Sequence, residues 1–346
     1  EKMTTKSMML ALAGSVASLA LMTGAGLAQS SEPFRLIVTH LEAPLVPNSV
    51  MDLAAELGYF EAEGVDVELV RVQQTPSAIA ALQSGDGEMA NIGVDALLQV
   101  IHNGATDFRA VTSPNKSLPF LIASKDDIAT PADLAGRSFG VGRVGSLDHS
   151  LSTLVLSSQG VSIDDSEIIS LGQPDIRAQA LLAGQVDATT MSIGVWSELP
   201  DTQGLHVLID QDAYYEGAPV VNKVNAVTGD VLAERPEDVQ AVIRALTKLS
   251  RDFAENPQMW VDAMVEARPD VSTEVLEMLA QSFAGSWSVN GGMSVEELSY
   301  TSDWLYETED FADFEQLALE DWVDFGPVDA VLGELGTDES MDPADR

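Results

Sequence analysis

A phrase that occurs twice constrains the fold of this chain more than any other feature of its sequence. ALQSGDGEMA begins at Ala81, and ALLAGQVDA begins 99 positions later at Ala180. In both copies a glycine follows an apolar helical segment, and an acidic residue, Glu88 or Asp187, leads into the next apolar segment. Glycine adopts the left-handed conformation that ends many helices, so each phrase predicts a helix that stops and a strand that follows. We interpret the repetition as two lobes of one design, with the function in the gap between them.

Strand-like and helix-like segments alternate along most of the chain. Apolar runs such as FRLIVTH and VDVELVRV are separated by segments with helical spacing, for example TPSAIAALQSG, where Thr75 is the predicted N-cap. This alternation predicts an α/β fold with two open, mostly parallel sheets that carry helices on both faces. Beyond Val224 the chain is almost entirely helical. We therefore expect a short strand there to return to the first sheet, and the extra C-terminal helices to pack on lobe one.

These patterns divide the chain into segments. We expect lobe one to comprise residues 33–123 and 224–335, lobe two to comprise residues 124–223, and residues 336–346 to form an acidic flexible tail. From Met3 to Ala28 the chain has one lysine, Lys6, then a weakly apolar run rich in small residues, and a small-x-small site. That pattern predicts a signal peptide cleaved after Ala28 and favours it over an uncleaved membrane anchor. The mature protein should then lie outside the cytoplasm.

Composition excludes several classes of function. The chain has 55 acidic and 17 basic residues, a formal net charge of -38, and no cysteine. Nucleic acids and anionic membranes are bound through Lys and Arg, so we expect neither as a partner and interpret the charge as a solvated acidic surface. The absence of cysteine excludes disulfides, thiolate metal sites, a cysteine nucleophile and a lipid-modified cysteine anchor. No GxSxG, HExxH or P-loop pattern is present in the sequence.

Four phrases together resemble one protein family. AAELGYFEAEGVDVELV, PADLAGRSFGVGRVGS, ALLAGQVDA and ERPEDVQAVIRAL occur in order and with suitable spacing. They resemble the periplasmic substrate-binding proteins of ABC importers, in the branch that binds nitrate, sulfonates, taurine and thiamine-pyrimidine precursors. The resemblance covers roughly Phe34 to Phe325. It implies the type II periplasmic-binding-protein fold, with crossover segments near Ala123–Lys125 and Asn222–Asn225 and a cleft that closes on its ligand.

The resemblance also implies a function. The protein is expected to be a non-catalytic periplasmic receptor, a monomer that delivers a small molecule to an ABC permease in the inner membrane. Some enzymes share this fold, including pyrimidine-precursor synthases and menaquinone-pathway lyases. The synthases carry a Cys-rich motif and a Lys for pyridoxal phosphate, whereas this chain has no cysteine and begins with an export signal, so we expect no enzyme and no cofactor. A third role is left open, in which the protein is a signalling ectodomain that acts on a sensor through a partner protein.

Candidate ligand-binding residues follow the predicted strand ends. In open parallel sheets, ligands bind beyond the carboxyl ends of the strands and beside helix N-termini. The candidates from lobe one are His40, Glu42, Gln74, Thr75, Asp95, Asn115 and Lys116. The candidates from lobe two are Arg143, Ser146, His149, Ser192, Trp196 and Tyr215.

The chemistry of these candidates leaves two ligand classes open. Arg143, beside a helix N-terminus, and Lys116 favour an organic anion such as a sulfonate or carboxylate, which is our leading hypothesis. Glu42 favours an amine or a protonated ring, and Trp196 and Tyr215 could hold a planar group or serve as packing. Thr75 and Ser146 have the alternative role of helix caps. His40 and His149 could meet from opposite lobes, but two histidines alone are weak evidence for a metal, so we expect no metal site.

Replacement of Arg143 tests the anion hypothesis. Each charge-assisted hydrogen bond lost to an anionic ligand is expected to cost about 1.5–3 kcal/mol. Arg143→Ala should therefore weaken binding about tenfold or more, as measured by isothermal titration. An unchanged affinity would contradict the anion hypothesis.

Overall fold

The computed structural model describes residues 32–116 and 119–340. The strands are β1 Phe34–Val38, β2 Val67–Arg71, β3 Met89–Gly93, β4 Arg109–Asn115, β5 Phe120–Lys125, β6 Ser138–Val141, β7 Glu167–Ser170, β8 Ala188–Ser192, β9 Leu205–Ile209 and β10 Lys223–Val227. The helices are α1 Val50–Glu56, α2 Tyr59–Ala62, α3 Thr75–Ser84, α4 Val94–His102, α5 Leu147–Ser158, α6 Pro174–Leu182, α7 Ile193–Ser197, α8 Gln211–Gly217, α9 Gly229–Glu234, α10 Pro236–Glu255, α11 Pro257–Ala267, α12 Thr273–Ser282, α13 Val295–Tyr306 and α14 Gly326–Leu335. The predicted signal peptide lies outside the described residues, and none of the described helices is long and apolar enough to cross a membrane.

The strands form two five-stranded sheets with matching internal order. The first is β2-β1-β3-β10-β4 and the second is β7-β6-β8-β5-β9. The fourth strand of each sheet is antiparallel to both of its neighbours, while the other pairs are parallel. The prediction of two open, mostly parallel sheets is therefore confirmed, and so is the return of the chain to the first sheet. Because an antiparallel strand begins where its neighbours end, β10 and β5 both begin at the carboxyl edge of their sheets.

The chain crosses between the two sheets twice. The first crossing lies between β4 and β5, and β5 already pairs with the second sheet from Phe120 onward. The second lies between β9 and β10, and β10 pairs with the first sheet from Lys223 onward. Both crossings thus lie slightly earlier than the predicted segments Ala123–Lys125 and Asn222–Asn225, because those residues already take part in sheet pairing or adjoin it. We call the first sheet with α1–α4 and α9–α14 lobe one, and the second sheet with α5–α8 lobe two; their residue boundaries stay a prediction.

The C-terminal helices pack on the first sheet, as expected. The long helix α10 buries Val242, Leu246 and Phe253 at helical spacing in the same core cluster as Phe34 of β1. Trp260 of α11 is fully buried in that cluster too. Lobe two has smaller cores of its own. Lobe one therefore carries most of the apolar burial that holds the molecule together.

Two segments whose sequences favour a helix do not form one continuous helix. The apolar residues of VMDLAAELGYFEAEG recur at helical spacing, but the segment breaks at Gly58, whose φ of 76° is left-handed and divides α1 from α2. The segment FADFEQLALEDWV forms only the short 3-10 turns Glu309–Phe311 and Leu319–Asp321. Its end runs along the edge of the first sheet, where the Ala110 N–H donates to the Trp322 carbonyl at 2.8 Å. Backbone pairing with β4 therefore replaces the helix that the local sequence favours.

The start of the predicted acidic tail is held to lobe one. The Asn290 side chain donates to the Asp338 carbonyl at 2.6 Å and accepts from the Asp338 N–H at 2.8 Å. The Gly336 carbonyl accepts from Arg251 at 2.7 Å. The tail is thus anchored as far as Asp338, and residues 341–346 lie outside the described residues.

The repeated phrase has the same structural role in both lobes. Gly85 and Gly184 follow α3 and α6 with left-handed φ values of 76° and 71°. Each acidic residue then accepts a hydrogen bond from the backbone N–H of the neighbouring parallel strand. The bond to Glu88 comes from Arg35 at 2.6 Å, and the bond to Asp187 comes from Ser138 at 2.9 Å.

A cation also pairs with each of these two acidic residues. We call the two resulting groups of contacts the locks. Arg35 Nη2 lies 2.6 Å from Glu88, and Lys125 Nζ lies 2.6 Å from Asp187. Both locks join the amino ends of parallel strands, at the edge of the sheet opposite the carboxyl ends. The prediction that each phrase ends a helix and leads into a strand is therefore confirmed.

Replacement of Asp187 should destabilise the fold in a pH-dependent way. Burial raises the pKa of Asp187, but the bonds from Lys125 and Ser138 outweigh it, so that the net pKa lies below the usual 3.8. A carboxyl with a lowered folded-state pKa contributes stability above its unfolded pKa and loses it as the pH falls through the folded pKa. Asp187→Asn should therefore lower the free energy of unfolding by about 1–3 kcal/mol at pH 7, and the difference should shrink below about pH 4.

Urea unfolding of both proteins at pH 7 and at pH 3 measures this effect. The matched control is Asp127→Asn, because Asp127 pairs with Arg137 at 2.7 Å but its side chain is 61% exposed. Exposed pairs contribute about 0.2–1 kcal/mol. Equal losses in the two variants at pH 7 would contradict the role assigned to Asp187.

Candidate functional site

The carboxyl edges of the two sheets meet. Leu45 follows β1, and it lies against Gly194, which follows β8; a Cβ added to Gly194 would come 3.2 Å from the Cβ of Leu45. Asp95 follows β3, and it lines a common cavity with Leu147, which follows β6. The residues beyond the strand ends of one lobe therefore contact those of the other, and these contacts define an interlobe cleft.

A small cavity lies in this cleft beside the second crossing. Its volume of about 210 Å³ includes space that is open to solvent. Its walls come from the edge of lobe one, from α5, from the second crossing and from α13, and they include Val94, Asp95, Leu147, Leu151, Asn222 and Trp304. The walls are mostly apolar, and their carboxylate is that of Asp95. Small-molecule sites also have largely apolar walls with a few polar groups, but they are larger, at about 300–1,000 Å³.

Lys223 places a cation at the carboxyl edge of lobe one. As the first residue of the antiparallel strand β10, it pairs with Gly93 on one side and with Asn115 on the other. Its Nζ donates to Thr39 Oγ1 at 2.8 Å. The sequence analysis missed Lys223 because its position depends on the strand being antiparallel. The feature of the sequence that could have identified Lys223 is a basic residue at the start of the short strand that returns to the first sheet.

Asp95 lies close to this lysine. Its carboxylate rests on the backbone of Gly93, where an added Cβ would come 2.3 Å from Asp95 Oδ1. Burial raises the pKa of Asp95, and the charge of Lys223 opposes that change. Burial likewise lowers the pKa of Lys223, and the charge of Asp95 opposes it. Two opposite charges are therefore partly removed from water at the same edge.

Asn115 and Lys116 are both buried at the end of β4. The Oδ1 atom of Asn115 is buried and, within the part of the chain that the structure describes, has no hydrogen-bond partner. A buried acceptor without a donor is unfavourable unless a ligand or water supplies one. Both residues therefore lie where the sequence predicts them, at the first sheet's carboxyl edge.

His40 is oriented by a buried carboxylate. Its Nε2 lies 2.8 Å from Asp52 Oδ2, and Arg71 Nη2 lies 2.6 Å from Asp52 Oδ1. The Asp52 side chain is fully buried. The sequence analysis missed Asp52 and Arg71, since only the fold brings α1 next to the ends of β1 and β2.

The remaining candidates of lobe one lie differently from expectation. The predicted N-cap Thr75 is the first helical residue of α3, and the exposed Gln74 holds the N-cap position with extended backbone. The Glu42 side chain is 70% exposed and lies 3.8 Å from Arg268. Its exposure makes it a weaker cleft carboxylate than Asp95.

In lobe two, the loop before α5 is held by a polar network. Ser146 is the N-cap of α5, as predicted. Its Oγ lies 2.7 Å from the Arg143 carbonyl and 2.6 Å from Asp148 Oδ1. Asp148 Oδ2 accepts from the Gly142 N–H at 2.7 Å and lies 3.7 Å from the buried Arg177. Spacing along the sequence does not identify Arg177, whose buried side chain lies beside Asp148 of this loop.

Three candidates in lobe two already have protein partners. His149 Nδ1 accepts from the Gly145 N–H at 2.9 Å. Ser192 caps α7 by accepting from the Val195 N–H at 3.1 Å. Trp196 packs against one of the hydrophobic cores of lobe two. This agrees with packing, the alternative to ligand contact that the sequence left open for Trp196. Among residues 32–116 and 119–340, no group of three or more His, Asp or Glu side chains could hold a metal ion.

Charged side chains join the lobes across the cleft. Arg268, at the end of α11, donates to Glu198 of lobe two at 3.1 Å and to the Ala43 carbonyl at 3.1 Å. Arg268 is buried, and its bonds to Asp270 and Glu198 raise its pKa. We call the Arg268–Glu198 pair the latch.

Two further contacts join the lobes. Arg143 Nη2 donates to Asp310 at 3.1 Å, and its side chain is 63% exposed. Tyr215 donates to Glu297 of α13. Arg143 and Tyr215 therefore bridge the two lobes in this structure.

Matched sheets that meet at their carboxyl edges, with two crossings between them, are the features of the periplasmic-binding-protein fold. A candidate sulfonate-binding protein of Methylobacillus flagellatus superimposes with a TM-score of 0.71 at 17% identity, covering 91% of this chain and 98% of that one. The periplasmic aliphatic sulphonate binding protein of Escherichia coli gives 0.67 at 15% identity, covering 85% and 98%. A desulfurization enzyme gives 0.61 at 17% identity, covering 87% and 99%. The predicted periplasmic-binding-protein fold is confirmed.

The chain belongs to the NMT1/THI5-like family, whose sequence model matches residues 49–259. A protein of Brucella abortus strain 2308, named as a candidate binding protein, is 26% identical over 218 residues. The matched region covers 62% of this chain and 66% of that relative, so the chain spans just under two thirds of the relative's length.

Removal of the latch should favour the open cleft. An ion pair of this exposure contributes about 0.2–1 kcal/mol, so Glu198→Gln should lower the closed-to-open ratio about 1.5- to 5-fold. The chain has no cysteine, so dyes attached to Glu68→Cys and Asp164→Cys, at exposed sites on the two lobes, report the distance between the lobes by single-molecule energy transfer.

The matched control is Glu334→Gln. Glu334 accepts from Arg244 Nε at 2.8 Å, and both residues belong to lobe one. The control should leave the distance distribution unchanged. A Glu198→Gln distribution identical to that of the unmodified protein would contradict the role of the latch.

Proposed function

We propose that this protein is an extracytoplasmic solute receptor of an ABC importer. It encloses a small organic anion, such as a sulfonate or carboxylate, between its lobes and delivers it to a permease in the inner membrane. The observation that carries the proposal is the meeting of two carboxyl edges around a cavity beside a crossing. This arrangement lets one solute contact both lobes and so favour the closed state.

The relatives support the transport role. Two of the similar structures are described as binding proteins of ABC transport systems, and three are described as sulfonate-binding. Two of these proteins are described as periplasmic. The extracytoplasmic location also agrees with the signal peptide that the sequence predicts.

Local charge supports an anionic ligand. Although the chain has a net charge of -38, Lys223 pairs with Asn115, the residue before Lys116, at the edge of lobe one. Arg143 lies in the loop before α5 of lobe two, where it also pairs with Asp310. A cluster of cations within an acidic surface concentrates anions at that point. The alternative ligand class is a cation or heteroaromatic ring, which Asp95 and Trp304 in the cavity wall would suit.

The proposed role is binding without chemistry. The similar desulfurization enzyme demonstrates that this fold can support catalysis. This chain has no cysteine to act as a nucleophile. We therefore propose that the enclosed solute leaves unchanged.

A thermal-shift screen of the chain from Gln29 onward tests the proposal. The library holds sulfonates, carboxylates, nitrate, pyrimidines, amino acids and polyamines. A ligand at 100 times its dissociation constant adds about 2.7 kcal/mol, which should raise the melting temperature by several degrees. We expect anions to give the largest shifts, and mass spectrometry to recover them unchanged.

Other outcomes of the screen have defined meanings. Shifts with cationic or heteroaromatic compounds alone would overturn the anion class and leave the receptor role in place. Conversion of a bound solute would overturn the non-catalytic role. Failure of every compound, together with no small molecule released on denaturing the purified protein, would contradict the receptor role itself.

A further inference from the structure

We propose that Asp310 is an internal competitor of the solute: its carboxylate pairs with Arg143, and an anionic solute displaces it when it binds that guanidinium. This inference rests on the proposed function, in which Arg143 meets the anionic group of the solute. It gives Asp310, which the sequence analysis did not name as a candidate, a role in setting the affinity of the cleft.

The pair spans the cleft beside the interlobe cavity. Arg143 lies in the loop before α5 of lobe two, and its Nη2 donates to Asp310 of lobe one at 3.1 Å. Leu147, four residues after Arg143, lines the cavity, and so does Asp95 of lobe one. Burial raises the pKa of Asp95, and the negative charge of Asp310 raises it further. Both partners of the pair therefore lie close to residues of the cavity wall.

The turn that carries Asp310 is anchored in lobe one. Phe311, the next residue, is 1% exposed and belongs to the core cluster of that lobe. Its ring centroid lies 5.2 Å from that of Tyr306, and its N–H donates to the Thr308 carbonyl at 3.1 Å. A carboxylate attached to such a fixed point competes at a high effective concentration. It can return to Arg143 whenever a solute leaves.

Asp310 contacts the nitrogen that a solute anion would also use. A guanidinium holds an oxyanion most strongly through two N–H groups on one edge. Nη2 belongs to both edges that can do this, the edge shared with Nη1 and the edge shared with Nε. In Arg143, Nη2 donates to Asp310, and Nη1 donates to the Val144 carbonyl at 3.3 Å. An anion on either edge would lie next to the Asp310 carboxylate, and like charges at that distance repel.

The exposure of the pair makes it weak enough to be displaced. The side chains of Arg143 and Asp310 are 63% and 39% exposed, and exposed pairs change an equilibrium by about 1.5- to 5-fold. A solute anion that accepts two charge-assisted hydrogen bonds from Arg143 gains more than the pair loses. Asp310 therefore lowers the affinity of the cleft for anions without preventing their binding.

Isothermal titration of Asp310→Asn with propanesulfonate and with butanoate tests the competition. Loss of the carboxylate should raise the affinity for at least one of these anions about two- to fivefold. The matched control is Asp313→Asn, because Asp313 is another exposed carboxylate of the same segment and its replacement changes the net charge equally. The control should change the affinity by less than about 1.5-fold.

Three outcomes of this titration would overturn the inference. Equal gains in the two variants would mean that net charge alone is responsible. An unchanged or weaker affinity in Asp310→Asn would mean that the pair does not compete with the anion. Binding of neither anion, by the unmodified protein or by Asp310→Asn, would leave Asp310 with nothing to compete against.

The same replacement in an Arg143→Ala background shows whether the effect passes through Arg143. The double variant should bind the anion no more tightly than Arg143→Ala alone, because no guanidinium is left to release. A gain as large as that in the native background would contradict the inference. Both side chains are exposed, so the variants should fold. These outcomes decide the role of Asp310 alone, since the thermal-shift screen decides the receptor role.

Discussion

The antiparallel strand in each sheet is the constraint on which the rest of the structure depends. Because β5 and β10 run against their neighbours, each begins at the carboxyl edge of its sheet. The preceding strands β4 and β9 end at that same edge. Both crossings therefore join carboxyl edge to carboxyl edge, and the connections between the lobes lie where ligands bind in parallel sheets. The topology therefore places the connections between the lobes and the interlobe cleft at the same edges of the sheets. The opposite, amino edges carry the locks formed by Glu88 and Asp187.

The same topology determines the electrostatics of the cleft. An antiparallel strand brings its first residue beside the last residues of two parallel strands, so Lys223 lies between Gly93 and Asn115. Its charge is set among helix N-termini and polar loop residues within a strongly acidic protein. Asp95 then reaches the same point from the first turn of α4. The charges at the edge of the cleft are thus placed by backbone pairing, which is stiffer than the long side chains of surface loops.

The sequence predicts the fold well and the site only in part. Local patterns identify strands, helices and the matched lobes, because hydrophobic periodicity and glycine stops are local properties. They fail where tertiary pairing competes, as in the segment beside β4 that forms turns instead of a helix. Candidates chosen for following strand ends, such as Asp95 and Asn115, lie at the cleft edge. Lys223, Asp52 and Arg177 could not be found in this way, since strand direction and helix packing, rather than spacing along the chain, bring them there.

The paired crossings also restrict how the molecule can move. Two covalent links at separate points define a line, and two stiff bodies joined along a line retain mainly one degree of freedom, a rotation about it. Displacement in such a rotation grows with distance from the axis. Groups beside the crossings, including Asp95 and Lys223, would keep nearly the same geometry in every state, while groups at the far rim would separate most. In a receptor of the proposed kind, the groups beside the crossings would therefore present a constant surface to the solute, and the groups at the far rim would report by their separation whether the cleft is occupied.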